Sequence, residues 1–303
     1  MTHEIRRVLR AFASQAWFIE PRKAEEIVGM LELRAAFGPR AEAYRESAAP
    51  RSSQGAAPGP VDVLNLFGII CQRATALDDV SQQTVSLERF QRDFQAAAAR
   101  PNNAGIILNI DSPGGNLDFV PETVAMIRKA RRNGRPIVAV ANTYAASAAY
   151  WIACGCDEIV VTPSGEVGSI GVYMVHQDVS AAAEKEGVRI TFVKEGPRKT
   201  EGNPFEPLSD EARGALQERV KDGYSMFVAD VARGRGVSPN VVRADPEKGG
   251  KHFGGGRMYG AKKAVQLGMA DRVATLDETV ARLKSLKAAG GKTAAQVRSP
   301  TFW

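Results

Sequence analysis

The sequence is poor in cysteine and histidine and has no long apolar run, and each shortage excludes a class of protein. Three cysteines among 303 residues make a disulfide framework improbable, and three histidines exclude a histidine-rich metal site. No stretch approaches the roughly 18 apolar residues of a membrane span. The N-terminus MTHEIRRVLRAF lacks the apolar segment and cleavage site of a secretory signal, so we expect a cytoplasmic protein without a membrane anchor.

The charge balance is basic without indicating a nucleic-acid site. The formal net charge is +6 and the isoelectric point is near 9.3. The arginines are spread along the chain, as in RKARRNGR and VARGRG, and are not interleaved with aromatic residues in one stripe. We therefore expect a solvated basic surface and no specific nucleic-acid partner.

Composition divides the chain into three parts. Residues 1–60 combine an arginine-rich helical pattern with the run ESAAPRSSQGAAPGP, which is typical of a flexible linker. Residues 61–285 carry the regular alternation of apolar runs and amphipathic stretches. Residues 286–303 end in KAAGGKTAAQVRSPTFW, for which we expect a disordered tail. The middle part is long enough to bury a sizeable core.

The middle part alternates between two kinds of pattern. Short apolar runs that stop at glycine, proline or polar residues predict strands, and apolar residues at helical spacing predict helices. This alternation predicts an α/β fold with a parallel sheet of repeated βαβ units. The predicted strands are 61–70, 105–110, 136–141, 158–163, 171–176 and 189–196. The predicted helices are 85–99, 117–134, one that contains Ser147, 180–187, 208–236 and one within 261–273 that leads into a short strand.

Two strand ends carry residues that could do chemistry, since reactive groups in an open α/β sheet collect where strands stop and helices begin. The strand GIILNI is followed by DSPGGN, in which Gly114 and Gly115 can expose backbone N–H groups to a developing oxyanion. The strand PIVAVA is followed by YAASAAYW, in which Ser147 is flanked by alanines. A tight turn and a helix N-cap are the alternative explanations of these two features.

A serine nucleophile needs a base, and the sequence offers two kinds. For a Ser-His-Asp triad, His3 lies in the N-terminal extension and His252 in a glycine-rich loop, and Asp178 is too close in sequence to His176 to orient its ring. In a Ser-Lys dyad the base is a lysine kept neutral by its surroundings, and Lys194 and Lys199 follow the predicted strand RITFV. The residue types alone leave the choice of lysine open.

Five motifs together resemble the signal peptide peptidase A family of serine peptidases, in particular its phage and prophage branch of capsid assembly (head maturation) proteases. They are IDSPGG, YAASAAYWIA, VGSIGV, VKEGPRKTEGNPFEPLS and GGRMYGAKKAVQLGMAD, and the resemblance covers roughly residues 62–285. It implies a ClpP/crotonase-like fold, a Ser-Lys dyad that needs no cofactor or metal, and homo-oligomeric rings. Residues 1–60 match the short helical extension of phage-type members.

The resemblance also assigns roles to individual residues. The nucleophile is Ser147, the general base is Lys199, Ser169 of VGSIGV orients the lysine, and Gly114 with Gly115 forms the oxyanion hole. The chain departs from the family pattern in two places. Alanines follow the nucleophile where members usually have glycines, and Thr200 follows the base where an acidic residue is common.

The function expected from the resemblance is a serine endopeptidase that processes scaffold, portal or capsid protein during phage head assembly in the host cytoplasm. Three alternatives remain at this point. They are a signal-peptide-peptidase-like protease that degrades peptides, a crotonase-like acyl-CoA enzyme with no serine nucleophile, and a catalytically silent oligomeric assembly factor.

Overall fold

The computed structural model describes residues 17–19, 59–73, 84–132 and 134–288, and these form two β-sheets flanked by helices. Apart from strand β1 and residues 59–60, the predicted N-terminal extension lies outside the described residues, as does the tail beyond residue 288. The strands are β1 (Trp17–Ile19), β2 (Asp62–Phe67), β3 (Ile69–Cys71), β4 (Thr84–Ser86), β5 (Ile106–Ser112), β6 (Gly114–Asn116), β7 (Ile137–Ala146), β8 (Glu158–Val161), β9 (Glu166–Gly168), β10 (Met258–Gly260) and β11 (Arg272–Val273).

The larger sheet confirms the predicted α/β class. Its strand order is β10-β9-β7-β5-β2, and β8 pairs with the first half of β7 and with β11. Every pair in this sheet is parallel except β9 with β10. The strands β5 and β7 are buried for most of their length, as expected for a parallel sheet covered on both faces.

The smaller sheet has the strand order β1-β6-β3-β4, and a kink in the chain between β2 and β3 joins it to the larger sheet. The sequence predicts a single strand over 61–70 that is interrupted at Gly68. In the structure Gly68 has φ 85°, a left-handed conformation that glycine adopts without steric cost, and the chain crosses there from β2 in one sheet to β3 in the other.

The helices are α1 (Leu87–Ala99), α2 (Val120–Ala130), α3 (Ala148–Ala153), α4 (Ser180–Lys185), α5 (Asp210–Arg235), α6 (Pro239–Arg243), α7 (Ala261–Leu267) and α8 (Leu276–Ala288), with a 3₁₀ turn at Pro246–Lys248. Helix α5 has a side-chain cap at its start and a glycine at its end. The Ser209 hydroxyl accepts a hydrogen bond from the Ala212 N–H, and Gly236 ends the helix with φ 64°. None of the helices in the described ranges is both long and apolar enough to cross a bilayer.

Helix α3 lies at the centre of the core and is buried along its whole length. The ring of Trp151 stacks on Phe227 of α5 with centroids 4.7 Å apart, and its Nε1 donates to Asp230 Oδ2 at 2.9 Å. On the same helix, the Tyr150 hydroxyl donates to the Met269 carbonyl at 2.8 Å. These contacts fix the short helix that follows Ser147 against two distant parts of the chain.

Two predicted strands are wrong. Residues 171–176 and 189–196 form no strand, although both carry apolar residues in the sequence. Three of their apolar side chains face solvent: Val175 is 43%, Ile190 38% and Val193 100% exposed. A strand is stabilised by a continuous ladder of backbone hydrogen bonds with a neighbouring strand, and neither run joins such a ladder with a described strand.

Candidate active site

Ser147 lies at the junction of β7 and α3 in a strained backbone conformation. Its φ is 53° and its ψ is −117°, a region that non-glycine residues seldom occupy and that costs about 1–3 kcal/mol. The backbone is held there by two hydrogen bonds, from the Ser147 N–H to the Gly168 carbonyl and from the Trp151 N–H to the Ser147 carbonyl, each 2.9 Å long.

The hydroxyl of Ser147 does not cap the helix. It makes no side-chain hydrogen bond to α3, and its Oγ is buried without a partner in a residue only 1% exposed. A plain N-cap serine would accept a hydrogen bond from the first turn. Buried hydroxyls nearly always find a partner, so the lone Oγ indicates that Ser147 is placed for a purpose other than capping.

Ser169 lies beside Ser147 at the same sheet edge. Strands β7 and β9 pair in parallel with Ala146 opposite Gly168, so the two serines are the next residues after paired positions. Ser169 also has a positive φ, 55°, and its N–H donates to the Arg257 carbonyl at 3.0 Å. Because it is only 6% exposed, its hydroxyl belongs to the interior of this edge.

The turn that contains Gly114 and Gly115, which we call the glycine turn, follows β5, which pairs with β7 as β9 does. Ser112 is the last residue of β5 and pairs with Ala145 of β7. Gly114 therefore lies two residues beyond the end of the strand next to β7, which leads into Ser147. Gly114 has φ 98°, and its N–H donates to Ser112 Oγ at 3.1 Å. A Cβ on Gly115 would lie 2.0 Å from the Ile70 carbonyl oxygen, so close approach of β6 to β3 requires glycine there.

Lys199 lies apart from these residues, on a segment that we call the arm and define as residues 171–209. Its side chain is exposed, and its N–H closes a turn on the Gly196 carbonyl at 3.1 Å. The neighbouring Arg198 forms an ion pair with Glu211 of α5. Lys194 is also exposed, and its Nζ donates to Thr200 Oγ1 at 2.8 Å. Because Ser147 Oγ has no hydrogen-bond partner, neither lysine contacts it in the single chain.

The histidines do not complete a triad within the described residues. His176 Nε2 is 3.0 Å from the Asn203 carbonyl oxygen on the arm. His252 is 9% exposed, lies with its ring centroid 5.9 Å from that of Tyr259, and has an unpartnered Nδ1. Neither ring forms a hydrogen bond with Ser147, whose Oγ has none.

The cysteines are inert rather than reactive. Cys71, Cys154 and Cys156 are all buried, and none of them forms a disulfide within the described residues. Burial raises the pKa of the Cys154 thiol to about 12, and it raises that of Cys156 well above its ordinary value. The protonated thiol is a poor metal ligand, and no cluster of three potential ligands occurs in the ranges that the structure describes.

The sequence analysis missed two groups at this edge. The Ala148 N–H is in the first turn of α3 and follows Ser147 directly, which is where serine hydrolases of the nucleophile-elbow type have one oxyanion donor. The strand–serine–helix pattern could have suggested it. The other group is the Ser112 hydroxyl, which only the turn geometry reveals. A strained serine between strand and helix, beside backbone donors, is the arrangement typical of a serine hydrolase.

The comparison with known proteins identifies the family. The chain belongs to peptidase family S49, whose model matches residues 129–290. It is 30% identical over 247 residues to the capsid assembly protease C of Escherichia phage lambda, covering 80% of this chain and 54% of that protein. It is also 30% identical over 220 residues to the head-tail preconnector protein GP5 of Enterobacteria phage P21, covering 73% and 42%. The resemblance to the signal peptide peptidase A family is thereby confirmed.

Relatives outside phages are equally similar. A putative signal peptide peptidase SppA of Enterococcus faecium is 30% identical over 197 residues, covering 65% of this chain and 55% of that protein. The chain therefore spans about half the length of the curated relatives that it matches. Among solved structures, a membrane-bound stomatin-specific protease matches with a TM-score of 0.46 and 17% identity, covering 79% of this chain and 89% of that one. ClpP1 of Listeria monocytogenes matches with a TM-score of 0.42 and 14% identity, covering 71% and 92%.

Proposed function

We propose that the chain is a serine endopeptidase in which Ser147 is the nucleophile and Lys199 the general base. The observation that carries the proposal is the buried, strained Ser147, whose Oγ is unpartnered at a sheet edge shared with Ser169 and the glycine turn. Family S49 membership and the protease names of the relatives support it.

The proposed reaction proceeds through an acyl-enzyme. Neutral Lys199 takes the proton of Ser147 as Oγ bonds to the carbonyl carbon of an extended peptide. Backbone N–H groups of Gly114 or Gly115, together with that of Ala148, stabilise the oxyanion. The lysine then gives its proton to the leaving amine as the C–N bond breaks, and water hydrolyses the ester. Ser169 accepts a hydrogen bond from the lysine and keeps it aimed at Ser147.

The base reaches the nucleophile through assembly, in our proposal. A lysine can accept a proton only when burial or neighbouring charge keeps it neutral, and Lys199 is exposed in the single chain. The arm that carries it exposes Val175, Val188, Ile190 and Val193. We infer that the arm packs against another copy in a homo-oligomer, which covers these side chains and buries the lysine near a Ser147.

The proposed substrate is a phage head protein, namely a scaffold, portal or capsid protein in the bacterial cytoplasm. The lambda capsid assembly protease and the P21 preconnector protein support this choice by name. A peptide-degrading role like that of a signal peptide peptidase is the second candidate, supported by the Enterococcus faecium relative. We further propose that residues 61–285 form the peptidase domain, 1–60 an extension with a linker, and 286–303 a tail.

The test is cleavage of a co-expressed scaffold or portal protein and of an unstructured protein by purified variants. Ser147→Ala and Lys199→Ala should each lose at least a thousandfold in rate, since both groups act as one unit. Lys194→Ala, on the same exposed arm, is the matched control and should cleave normally. Normal cleavage by Lys199→Ala would refute the dyad, and loss of cleavage in His252→Gln alone would point to a histidine base.

Mixing the two inactive variants locates the lysine. Recovery of activity in a mixture of Ser147→Ala and Lys199→Ala shows that the lysine acts on the Ser147 of a neighbouring copy. The two variants are co-expressed so that mixed oligomers form, and no recovery in mixed oligomers of unchanged size shows that each chain uses its own lysine. Cleavage of the unstructured protein but of no head protein would favour the peptide-degrading role.

A further inference from the structure

Ser112 joins the glycine turn to the kink between the two sheets through both hydrogen-bonding functions of one hydroxyl. Its Oγ donates to the Gly68 carbonyl at 2.7 Å and accepts from the Gly114 N–H at 3.1 Å. The residue is fully buried at the end of β5, opposite Ala145. The side chain is shielded from bulk solvent, so its two partners fix the hydroxyl in one rotamer.

Both partners are glycines in left-handed conformations. Gly68 has φ 85° and Gly114 has φ 98°, and the Gly68 N–H donates in turn to the Asp111 carbonyl at 2.8 Å. Gly68 is thereby hydrogen-bonded to two consecutive residues of β5, through its N–H to Asp111 and through its carbonyl to Ser112. Gly114 and Gly115 lack a Cβ, so steric clashes restrict their backbone less than that of other residues, and the pairing of β6 with β1 and β3 restricts it instead. The Ser112 hydroxyl adds a side-chain contact to the Gly114 N–H itself.

We propose that Ser112 is a positioning residue that holds the Gly114 peptide in the orientation needed to stabilise the oxyanion. The inference rests on the function proposed above. In the resting enzyme the Gly114 N–H stays on Ser112 Oγ, a neutral acceptor at the long end of hydrogen-bond distances. The developing oxyanion is charged and a stronger acceptor, so it draws the N–H away. Ser112 keeps its hydrogen bond to Gly68 throughout, and no covalent bond to Ser112 forms or breaks.

The opposite role is also testable. If Ser112 Oγ instead withheld the N–H from the oxyanion, removing the hydroxyl would speed the reaction. A purely structural serine would change the melting temperature and leave the kinetic constants of the folded enzyme alone. The three roles therefore differ in the sign of the change in kcat.

The experiment compares Ser112→Ala with Ser86→Ala in steady-state cleavage of a peptide substrate. Ser86 is a matched control because its Oγ likewise donates to a carbonyl, that of Gln72 at 3.2 Å, and accepts an N–H, that of Arg89 at 3.4 Å, away from the site. Loss of a whole oxyanion donor costs about 10²–10³ in kcat, so loss of its orientation should cost about tenfold with KM nearly unchanged. Ser86→Ala should leave both constants unchanged.

A second variant covers the case in which Ser112→Ala does not fold. Ser112→Cys is close in size but has a weaker donor and acceptor, so its kcat should fall between those of the wild type and the alanine variant. Unchanged or raised kcat in folded Ser112 variants, with Ser147→Ala inactive, would overturn the role of Ser112 alone. Full activity of Ser147→Ala would overturn the proposed function itself.

Discussion

Two glycines in helix α5 should respond oppositely to the same substitution. Gly214 is exposed, and a Cβ placed on it would meet nothing within 4 Å. Gly234 is buried, and its Cβ would lie 2.1 Å from the carbonyl oxygen of Cys154, at the end of helix α3. Helix propensity treats the two positions alike, because alanine is favoured over glycine by up to about 1 kcal/mol in a helix interior.

The magnitudes follow from these contacts. Gly214→Ala should raise the free energy of unfolding by about 0.5–1 kcal/mol. In Gly234→Ala the obstacle is backbone, which cannot rotate aside, so α5 must retreat by more than about 1 Å to restore an ordinary contact of about 3.5 Å. Such overpacking costs about 1–3 kcal/mol and exceeds the helical gain, for a net loss of about 1–2 kcal/mol.

The assay is urea and thermal unfolding of the two variants and the wild type, followed by circular dichroism. A difference of about 1.5–3 kcal/mol between the variants corresponds to about 3–12 °C in melting temperature for a chain of this size. Gly234→Ala should also lower kcat, because α3 begins at Ser147. Equal stabilisation of both variants would refute the contact between α5 and α3.

Two further predictions concern buried ionisable groups. Asp271→Asn breaks the double hydrogen bond with Arg235, whose side chain is only 7% exposed, and should lower the free energy of unfolding in urea by about 3–5 kcal/mol. As a control, Glu247→Gln breaks the exposed ion pair with Arg257 and should leave the melting temperature unchanged. Burial raises the pKa of the Cys154 thiol from 9.0 to about 12 in the folded chain. The contribution of this thiol to the free energy of unfolding should therefore be fully present below pH 9 and fall as the pH rises towards 12. Iodoacetamide at about pH 8 should leave Cys154 of the folded protein unmodified. Rapid alkylation of the native protein would contradict the burial of this thiol.

The elements that were predicted from the sequence and occur in the structure depend on local residue patterns. The strand before the glycine turn, the strand before Ser147 and the long helix ending at Gly236 were all predicted, because apolar runs, N-caps and glycine stops lie within a few consecutive residues. The errors fall where a partner decides the outcome. The runs 171–176 and 189–196 have strand-like composition, yet neither belongs to a ladder among the residues that the structure describes.

The amino-acid sequence by itself determined the α/β class, the family and the candidate residues, since these depend on periodicity and on short motifs. Only the tertiary structure decided that Ser147 has a positive φ and a lone buried hydroxyl, because that strain is imposed by the pairing of β7 with β9 and by the packing of α3. It likewise joined Ser112 to Gly68 and Gly114, through hydrogen bonds that no residue pattern specifies. Lys199 remained exposed on the arm, since a single chain does not bury it.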